Sequence, residues 1–438
     1  MSRAMKDSGI TWIGEIPGHW TIVPFRSYVQ ERGEKNKGEK TRELLALSFA
    51  LGVTLYRDKL FNMDRVKENF EDYQLVYKDD LVLSPNDIIK GSVYVSKYYG
   101  CISPMYHVFS SRDTNTYYLP YLSFLLRTQE AGRKFFFIAR GLIGDILENG
   151  KYVTRRMTVS RQDLLSFPVL LPPFVEQKKI VCFLDKKCGD IDEMVSLQEK
   201  IIEELKAYKQ SVITEAVTKG LNPNVPMRDS GIEWIGQIPK GWSIDKIVRS
   251  FDLIGSGTTP KSTDETNFEG DICWIQSGDI NGSYLTSCNN RISNDTLERF
   301  SALKVYNAPF IIIAMYGASV GNASISQING CVNQACCVLK GNRLNLNYAF
   351  AAIRACKDYL IRKAVGGGQP NISQDTIKST WIPVPPKNEQ QAIADYLDTK
   401  CAEIDALISL KQSKIESLKE YKKSIIYEYV TGKKEVIE

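Results

Sequence analysis

Two stretches of the chain carry apolar residues that step by four and three. The first holds Leu184, Cys188, Ile191, Val195, Ile202, Leu205 and Val212; the second holds Leu397, Cys401, Ile404, Ile408, Ile415, Leu418 and Ile425. Such spacing keeps one stripe on one side of an α-helix and predicts helices over 176–218 and 389–431. Pro172-Pro173 and Pro385-Pro386 halt what precedes each, and Gly220 and Gly432 follow near the ends. At the α-helical rise each is a rod of roughly 64 Å, longer than a compact domain requires. Polar Gln198, Lys209, Lys411 and Lys422 interrupt the stripes in the manner of a coiled-coil seam, and the simplest partner for each helix is the other. Met194, Ile201, Tyr208, Leu407 and Tyr421 widen the apolar face beyond a two-helix seam, so something else is expected to pack there.

Outside the helices the pattern changes to short apolar runs punctuated by Gly, Asn and Ser. "LLALSFALGV", "DDLVLS" and "GSVYVSKYYGCI" come before the first helix, and "DICWIQSGDI", "FIIIAMYGASVGNASI" and "QACCVL" before the second. These predict strands and turns, with one helix in each module over 119–137 and 346–365. The expected fold is therefore α+β, ordered module, helix, module, helix. The linker 219–226 spans at most about 29 Å, too little to run back along the rod, so the helices should pair antiparallel about a pseudo-two-fold axis. The expected boundaries are 1–170, 171–219, 220–383 and 384–438.

The two halves also repeat in sequence. "MKDSGITWIGEIPGHW" at Met5–Trp20 returns as "MRDSGIEWIGQIPKGW" at Met227–Trp242, and the stretch from Val159 realigns without a gap on the stretch from Ile372. Between these shared ends the sequences differ in length and content, with a weak echo of Gly100-Cys101-Ile102 in Gly330-Cys331-Val332. One fold with diverged interiors is implied. Trp12, Trp20, Trp234 and Trp242 recur at matched positions and are expected to anchor each module's edge against a helix.

Composition narrows the chemistry. The 438 residues are 43% hydrophobic and 24% charged, ordinary values for a globular protein. The N-terminal residues lack an apolar signal core and the run 308–315 is too short to span a bilayer, so a cytoplasmic location is expected. Ten cysteines include no CxxC pair and histidines number two, which disfavours a structural zinc site. Cys101, Cys331, Cys336 and Cys337 lie in predicted strands and read as reduced core residues. The net charge of +5 resides in the globular segments, the helical ones being slightly acidic, which suits a nucleic-acid partner for the modules.

Lys151, Arg155, Arg156 and Arg161 cluster just ahead of the first Pro-Pro, at the position that Gly366-Gly367-Gly368-Gln369-Pro370-Asn371 occupies in the second module. Cations bind phosphates and amides bind base edges, so Lys151, Arg155, Arg156, Arg161, Lys261, Gln369 and Asn371 are the DNA-contact candidates. A solvated basic strand and a plain turn are the competing readings. No phosphate loop, dinucleotide fingerprint or metal constellation is present in the sequence. "SPND" at Ser84–Asp87 is only distantly like the Asn-Pro-Pro-Tyr motif of amino-methylating DNA methyltransferases. A DNA reader, a two-headed scaffold for proteins and an autonomous methyltransferase remain as alternatives.

The duplicated "DSGIxWIGxIPxxW", the "PPxxEQ" junction and the helix ending "LKxYKxSxIxExVT" resemble the specificity subunits of type I restriction-modification systems, over nearly the whole chain. The resemblance implies two target-recognition domains that each read one part of a bipartite DNA site. It further implies two helices acting as spacer and as docking surface for two methylase subunits. No catalytic residue is expected in this chain. S-adenosylmethionine would belong to the methylase subunits, and ATP and Mg to a restriction subunit bound through them.

Overall fold

The computed structural model describes residues 3–49, 51–59, 69–141, 145–146, 152–153, 157–261, 263–317, 319–364 and 370–436. The chain divides into two compact units, one of Met1–Gln198 with Ser413–Glu438 and the other of Glu199–Gln412. Both divisions fall inside long helices, Phe174–Lys219 and Lys387–Val430. Each unit therefore contains a globular module, the beginning of one long helix and the end of the other.

Unit 1 is built on a four-stranded antiparallel sheet in the order Val29–Glu31, His107–Ser111, Leu81–Leu83, Val93–Val95. Unit 2 lays down Leu253–Gly255, Cys336–Lys340, Phe310–Ala314 and Ala323–Ser326 in the same order, also antiparallel. It adds a fifth strand, Tyr284–Leu285, parallel to Ala323–Ser326. The two sheets carry different residues, yet both central strands are apolar and fully buried, Leu81–Leu83 in one and Phe310–Ala314 in the other. A strand covered on both faces tolerates a continuous apolar run, so alternation is absent there.

The repeated sequences make the frame around each sheet. Met5–Asp7 pairs with Glu15–Pro17, and Met227–Asp229 with Gln237–Pro239, in identical register. Thr21–Pro24 pairs with Pro168–Leu171, and Ser243–Lys246 with Trp381–Val384. The mixture of helices and antiparallel sheets is α+β in each unit.

The expected single helix of each module is broken. In unit 1, Leu119–Leu126 ends and Gln129–Ile138 begins with Thr128 as cap, its side chain accepting from the Ala131 N–H at 3.3 Å and donating to the Leu125 carbonyl at 2.8 Å. Gly132 lets the second piece lie on the Ile88–Lys90 turn, where a Cβ would stand 2.5 Å from the Ile89 carbonyl oxygen. In unit 2 the break falls at Cys356, between Leu346–Ala355 and Lys357–Arg362. Hydrophobic periodicity survives such a break, which is why it reads as one helix.

Each core is closed by long-helix residues. In unit 1, Ile180, Leu184 and Ile191 from the start of one helix and Ile425 and Val430 from the end of the other join Phe25, Phe109 and Tyr121. In unit 2, Ile213, Ala216 and Val217 join Ile393 and Leu397 against Tyr348 and Ile313. Among the seam residues, Leu184, Cys188, Ile191, Ile202, Leu397, Ile404, Ile415 and Ile425 are buried. Val195, Leu205, Val212, Cys401, Ile408 and Leu418 are partly buried.

Within unit 1 Phe183 packs on Tyr429 and Asp192 accepts from Lys422 at 2.7 Å, so the partner number falls as the first rises. The two helix segments of that unit run in opposite directions. In unit 2 the sequence-equivalent pair recurs, Lys209 donating to Asp405 at 2.6 Å. Two of the lysines that read as interruptions of the seam, Lys209 and Lys422, thus form its interhelix ion pairs. Among the described residues no helix is long and apolar enough to cross a membrane.

Candidate nucleic-acid interface

The repeated phrases meet at one junction in each unit. Glu176, in the first turn of its helix, accepts from Trp20 Nε1 at 2.9 Å, Arg3 Nη2 at 2.6 Å and His19 Nε2 at 2.6 Å. Glu389 accepts from Trp242 Nε1, also at 2.9 Å. A carboxylate in the first helical turn additionally faces the positive end of the helix dipole. Burial raises the Glu176 pKa, but hydrogen bonds from Trp20, His19 and Arg3 outweigh it and leave the carboxyl below its ordinary value.

The neighbouring glutamine ties the helix start to the module. Gln177 is wholly buried, donates to the Pro172 and Thr116 carbonyls at 2.8 and 3.0 Å, and accepts from the Tyr118 N–H at 2.9 Å. Gln390 likewise donates to the Pro385 carbonyl and accepts from the Asn345 N–H, both at 2.8 Å. The "EQ" of the motif therefore holds one edge of a tryptophan and the loop that starts the module helix.

The other end of a helix closes the same tryptophan. Gly432, at φ +70°, would place a Cβ 2.5 Å from Pro17 and 3.0 Å from Trp20; Gly220, at φ +74°, would place one 3.0 Å from Trp242. Only glycine adopts this left-handed backbone freely, and only glycine leaves room for the indole. Trp20 and Trp242 thus anchor each module to a helix start and a helix end. Trp234 Nε1 donates to the Trp381 carbonyl at 3.0 Å, while Trp12 packs on Phe167.

These anchors leave loops at one rim of each sheet. In unit 2, Ser319 Oγ donates to the Ser277 carbonyl at 2.8 Å, the Ile372 N–H donates to the Met315 carbonyl at 2.8 Å, and Asn371 bridges Tyr316. The turn after Val332 is tied to Ile275 by the Asn333 N–H at 3.1 Å, and Thr259 donates to Gln334. Four loops and the segment ending at Asn371 are thereby linked. In unit 1 the Val159 N–H donates to the Pro85 carbonyl at 3.0 Å and Thr158 Oγ1 to Asn86 at 2.6 Å. Val159 and Ile372 are repeat equivalents, so the segments carrying both candidate clusters enter the fold at matching points.

Of the candidate contacts, Lys151, Arg155, Arg156 and Gln369 lie outside the described residues. Lys261 and Asn371 are exposed in unit 2, and both belong to the linked loops. Arg161 is exposed at the start of a short helix and forms an ion pair with Glu31. Sequence reasoning missed Lys90, Arg127, Arg133 and Lys423, which line a cleft of about 540 Å³ in unit 1 with exposed Phe49, Phe136 and Phe137. They are scattered along the chain, and only the fold brings them together. The "SPND" residues form a turn, the Asp87 N–H donating to Ser84 Oγ at 3.2 Å and Ser84 Oγ to the Asp87 carboxylate at 3.2 Å.

Cys101, Cys188, Cys331, Cys336, Cys337 and Cys356 fill the interior, while Cys182 is exposed. Burial pushes the Cys101 and Cys331 thiols up to about 11 and Cys337 to about 12, so they stay protonated at neutral pH. Cys273 and Cys288 form a disulfide within unit 2. Among the described residues no group of His, Cys, Asp and Glu is placed to hold a metal ion.

One frame is thus repeated around two different loop sets, an arrangement suited to presenting loops for recognition. Residues 239–420 match the Type I restriction modification DNA specificity domain. The putative type I restriction enzyme MjaX specificity subunit of Methanocaldococcus jannaschii is 25% identical over 441 residues, covering 97% of this chain and 95% of that relative. The MjaIX specificity subunit of the same organism is 29% identical over 192 residues, 42% of either chain. A chain solved in work on complex assembly and conformational transition of the type I R-M system shares the fold, with TM-score 0.70 at 16% identity over 95% of this chain and 98% of its own. The HsdS subunit from Thermoanaerobacter tengcongensis gives TM-score 0.50 at 17% identity, with the same coverages. Residues 239–420 thus carry a type I restriction-modification DNA specificity domain, and over nearly its whole length the chain is similar to type I specificity subunits.

Proposed function

We propose that this chain reads an asymmetric, bipartite site in double-stranded DNA, one half per unit, as the non-catalytic subunit of a cytoplasmic methylation and restriction complex. The observation that carries the proposal is the pairing of one frame with two interiors. The same four-strand order and the same Trp–Glu–Gly junction recur, while the loops they present differ in length and composition. Two equivalent frames suit two equivalent positions on a duplex, and different loops suit different half-sites.

In this reading residues 1–170 and 220–383 are the recognition domains, and 171–219 and 384–438 the helices that set the gap between half-sites. Arg161, Lys261 and Asn371 contact DNA, together with Lys151, Arg155, Arg156 and Gln369. Two methylase subunits dock on the helices, bringing S-adenosylmethionine for adenine methylation, and restriction subunits using ATP and Mg join through them. Support for docking comes from exposed apolar side chains at repeat-equivalent positions, Met194, Leu197 and Tyr421 in unit 1 and Leu407, Leu410 and Tyr208 in unit 2. Exposed apolar residues that recur in pattern mark interaction surfaces better than single ones do.

The test is a genome-wide map of methylated adenine in the host with and without this gene. Loss of one gapped, asymmetric motif is the expected result. If every motif persists, the proposed function is wrong.

A further inference from the structure

The loop 258–261 of unit 2 is held on three sides. Gly257 lies so close to the Val332 carbonyl that any Cβ would collide with it, which lays the loop on the turn between strands Cys331–Val332 and Cys336–Lys340. Trp274 Nε1 donates to the Thr258 carbonyl at 3.2 Å. Asn267, buried to 1% exposure, donates to the Lys261 carbonyl at 3.1 Å and accepts from Arg299 Nη2 at 2.7 Å. The facing turn is equally fixed, because Asn333 Oδ1 accepts from the Ala335 N–H at 3.1 Å and the Cys336 N–H donates to the Asn333 carbonyl at 3.2 Å.

This platform carries three exposed side chains: Thr259 and Gln334, in contact with each other, and Lys261 two residues further along the same loop as Thr259. The Thr259 hydroxyl donates to the Gln334 side-chain carbonyl, which fixes the amide and leaves its NH2 donors for a ligand. No ion pair engages Lys261 among the described residues. A held amide with a lysine on the adjoining loop is chemistry suited to reading a base edge and gripping a neighbouring phosphate. Fixing the reader before binding lowers the ordering cost that an exposed glutamine otherwise incurs.

Building on the proposed function, we infer that Gln334, oriented by Thr259, donates a hydrogen bond to an acceptor on a base edge in the half-site of unit 2, while Lys261 holds a phosphate. The amide is thus a specificity-determining contact, and the lysine supplies affinity without sequence preference.

The experiment uses the full chain in complex with its methylase subunits, comparing wild type with Gln334→Ala, Gln334→Glu, Thr259→Val and Lys261→Ala. Methylated motifs are mapped by sequencing, and binding to cognate and scrambled duplexes is titrated against salt. Gln334→Glu keeps an oxygen that accepts from Thr259 but exchanges the donors for a negative charge that repels every duplex alike, so a supporting role predicts uniform weakening and a reading role predicts a changed motif. The expected result for both Gln334 variants is about a tenfold or greater loss of cognate affinity, with one position relaxed in one half of the motif and the other half unchanged. Thr259→Val should show the same relaxation more weakly. Lys261→Ala should weaken cognate and scrambled DNA alike and flatten the salt dependence by about one phosphate contact. An unchanged motif and affinity for Gln334→Glu would overturn the inference, as would uniform weakening on every sequence. A wild-type complex that methylates no gapped motif would instead overturn the proposed function, which keeps the two failures apart.

Discussion

Glu176 shows why a single residue of the repeat matters. Its carboxylate gathers an indole, a guanidinium and an imidazole at the first turn of a helix. Glu176→Gln keeps the shape and removes the charge, so unfolding by urea at pH 7 should require about 1–3 kcal/mol less than in wild type. The pH dependence has a definite sign. Because the folded pKa lies below the unfolded one, the contribution is complete above the unfolded value, about 4.3, and is lost as pH falls through the folded value. The gap between wild type and Glu176→Gln should therefore close on acidification from pH 7 toward pH 3. A gap that persists unchanged would assign the effect to packing. Gln177 makes a complementary case, since Gln177→Leu strands two carbonyls and one N–H in a buried place. Its cost should be about 3 kcal/mol or more by the same measurement.

At the scale of elements, the long helices were legible because a stripe at helical spacing is repeated over many turns and bounded by Pro-Pro and Gly. Their observed limits, Phe174–Lys219 and Lys387–Val430, lie within two residues of those expected at each end. The broken module helices were not legible, since Thr128 turns the backbone extended and Cys356 shifts its ψ to 4° without interrupting apolar periodicity. The sheet order was also hidden, because neighbours such as Val29–Glu31 and His107–Ser111 are far apart in sequence. Candidate contacts could be proposed from the sequence only where they cluster locally, as Arg155 and Arg156 do; the Thr259–Gln334 pair joins residues that only the fold brings together. The helix ends supply a prediction at this scale. Gly432→Ala forces a Cβ into Pro17 and Trp20 in a left-handed backbone, so it should destabilise by more than about 1 kcal/mol, and by more than Gly220→Ala, whose nearest contact is a ring carbon of Trp242. Equal effects in thermal unfolding would show that the Pro17 contact is relieved without cost.

Across the whole molecule, what repeats is the junction and what differs is the rim, and the two follow different constraints. A junction of buried hydrogen bonds and a tryptophan between glycine and helix tolerates little change, whereas exposed loops can vary while the sheet beneath them holds. The ion pairs carry the same logic into the helices, with Asp192–Lys422 in unit 1 and Lys209–Asp405 in unit 2 occupying equivalent repeat positions. Such pairs add little stability where exposed, but a mismatch of like charges disfavours the wrong register. If each helix segment recognises its partner by these equivalent positions, residues 1–225 hold both kinds of segment, one starting at Phe174 and one ending at Lys219. Two copies of that fragment should then pair, each supplying the helix end that the other lacks, with Lys209 of one copy meeting Asp192 of the other. Light scattering at micromolar concentration should give a dimer. Together with the methylase subunits, the dimer should methylate a palindrome built from the half-site of unit 1. A Lys209→Glu fragment should dissociate and Lys209→Glu with Asp192→Lys should re-form, since the swap restores opposite charges at both ends. A fragment that stays monomeric in wild-type form would mean that the two halves are related by descent alone, and that the gap between half-sites is set by something other than paired helices.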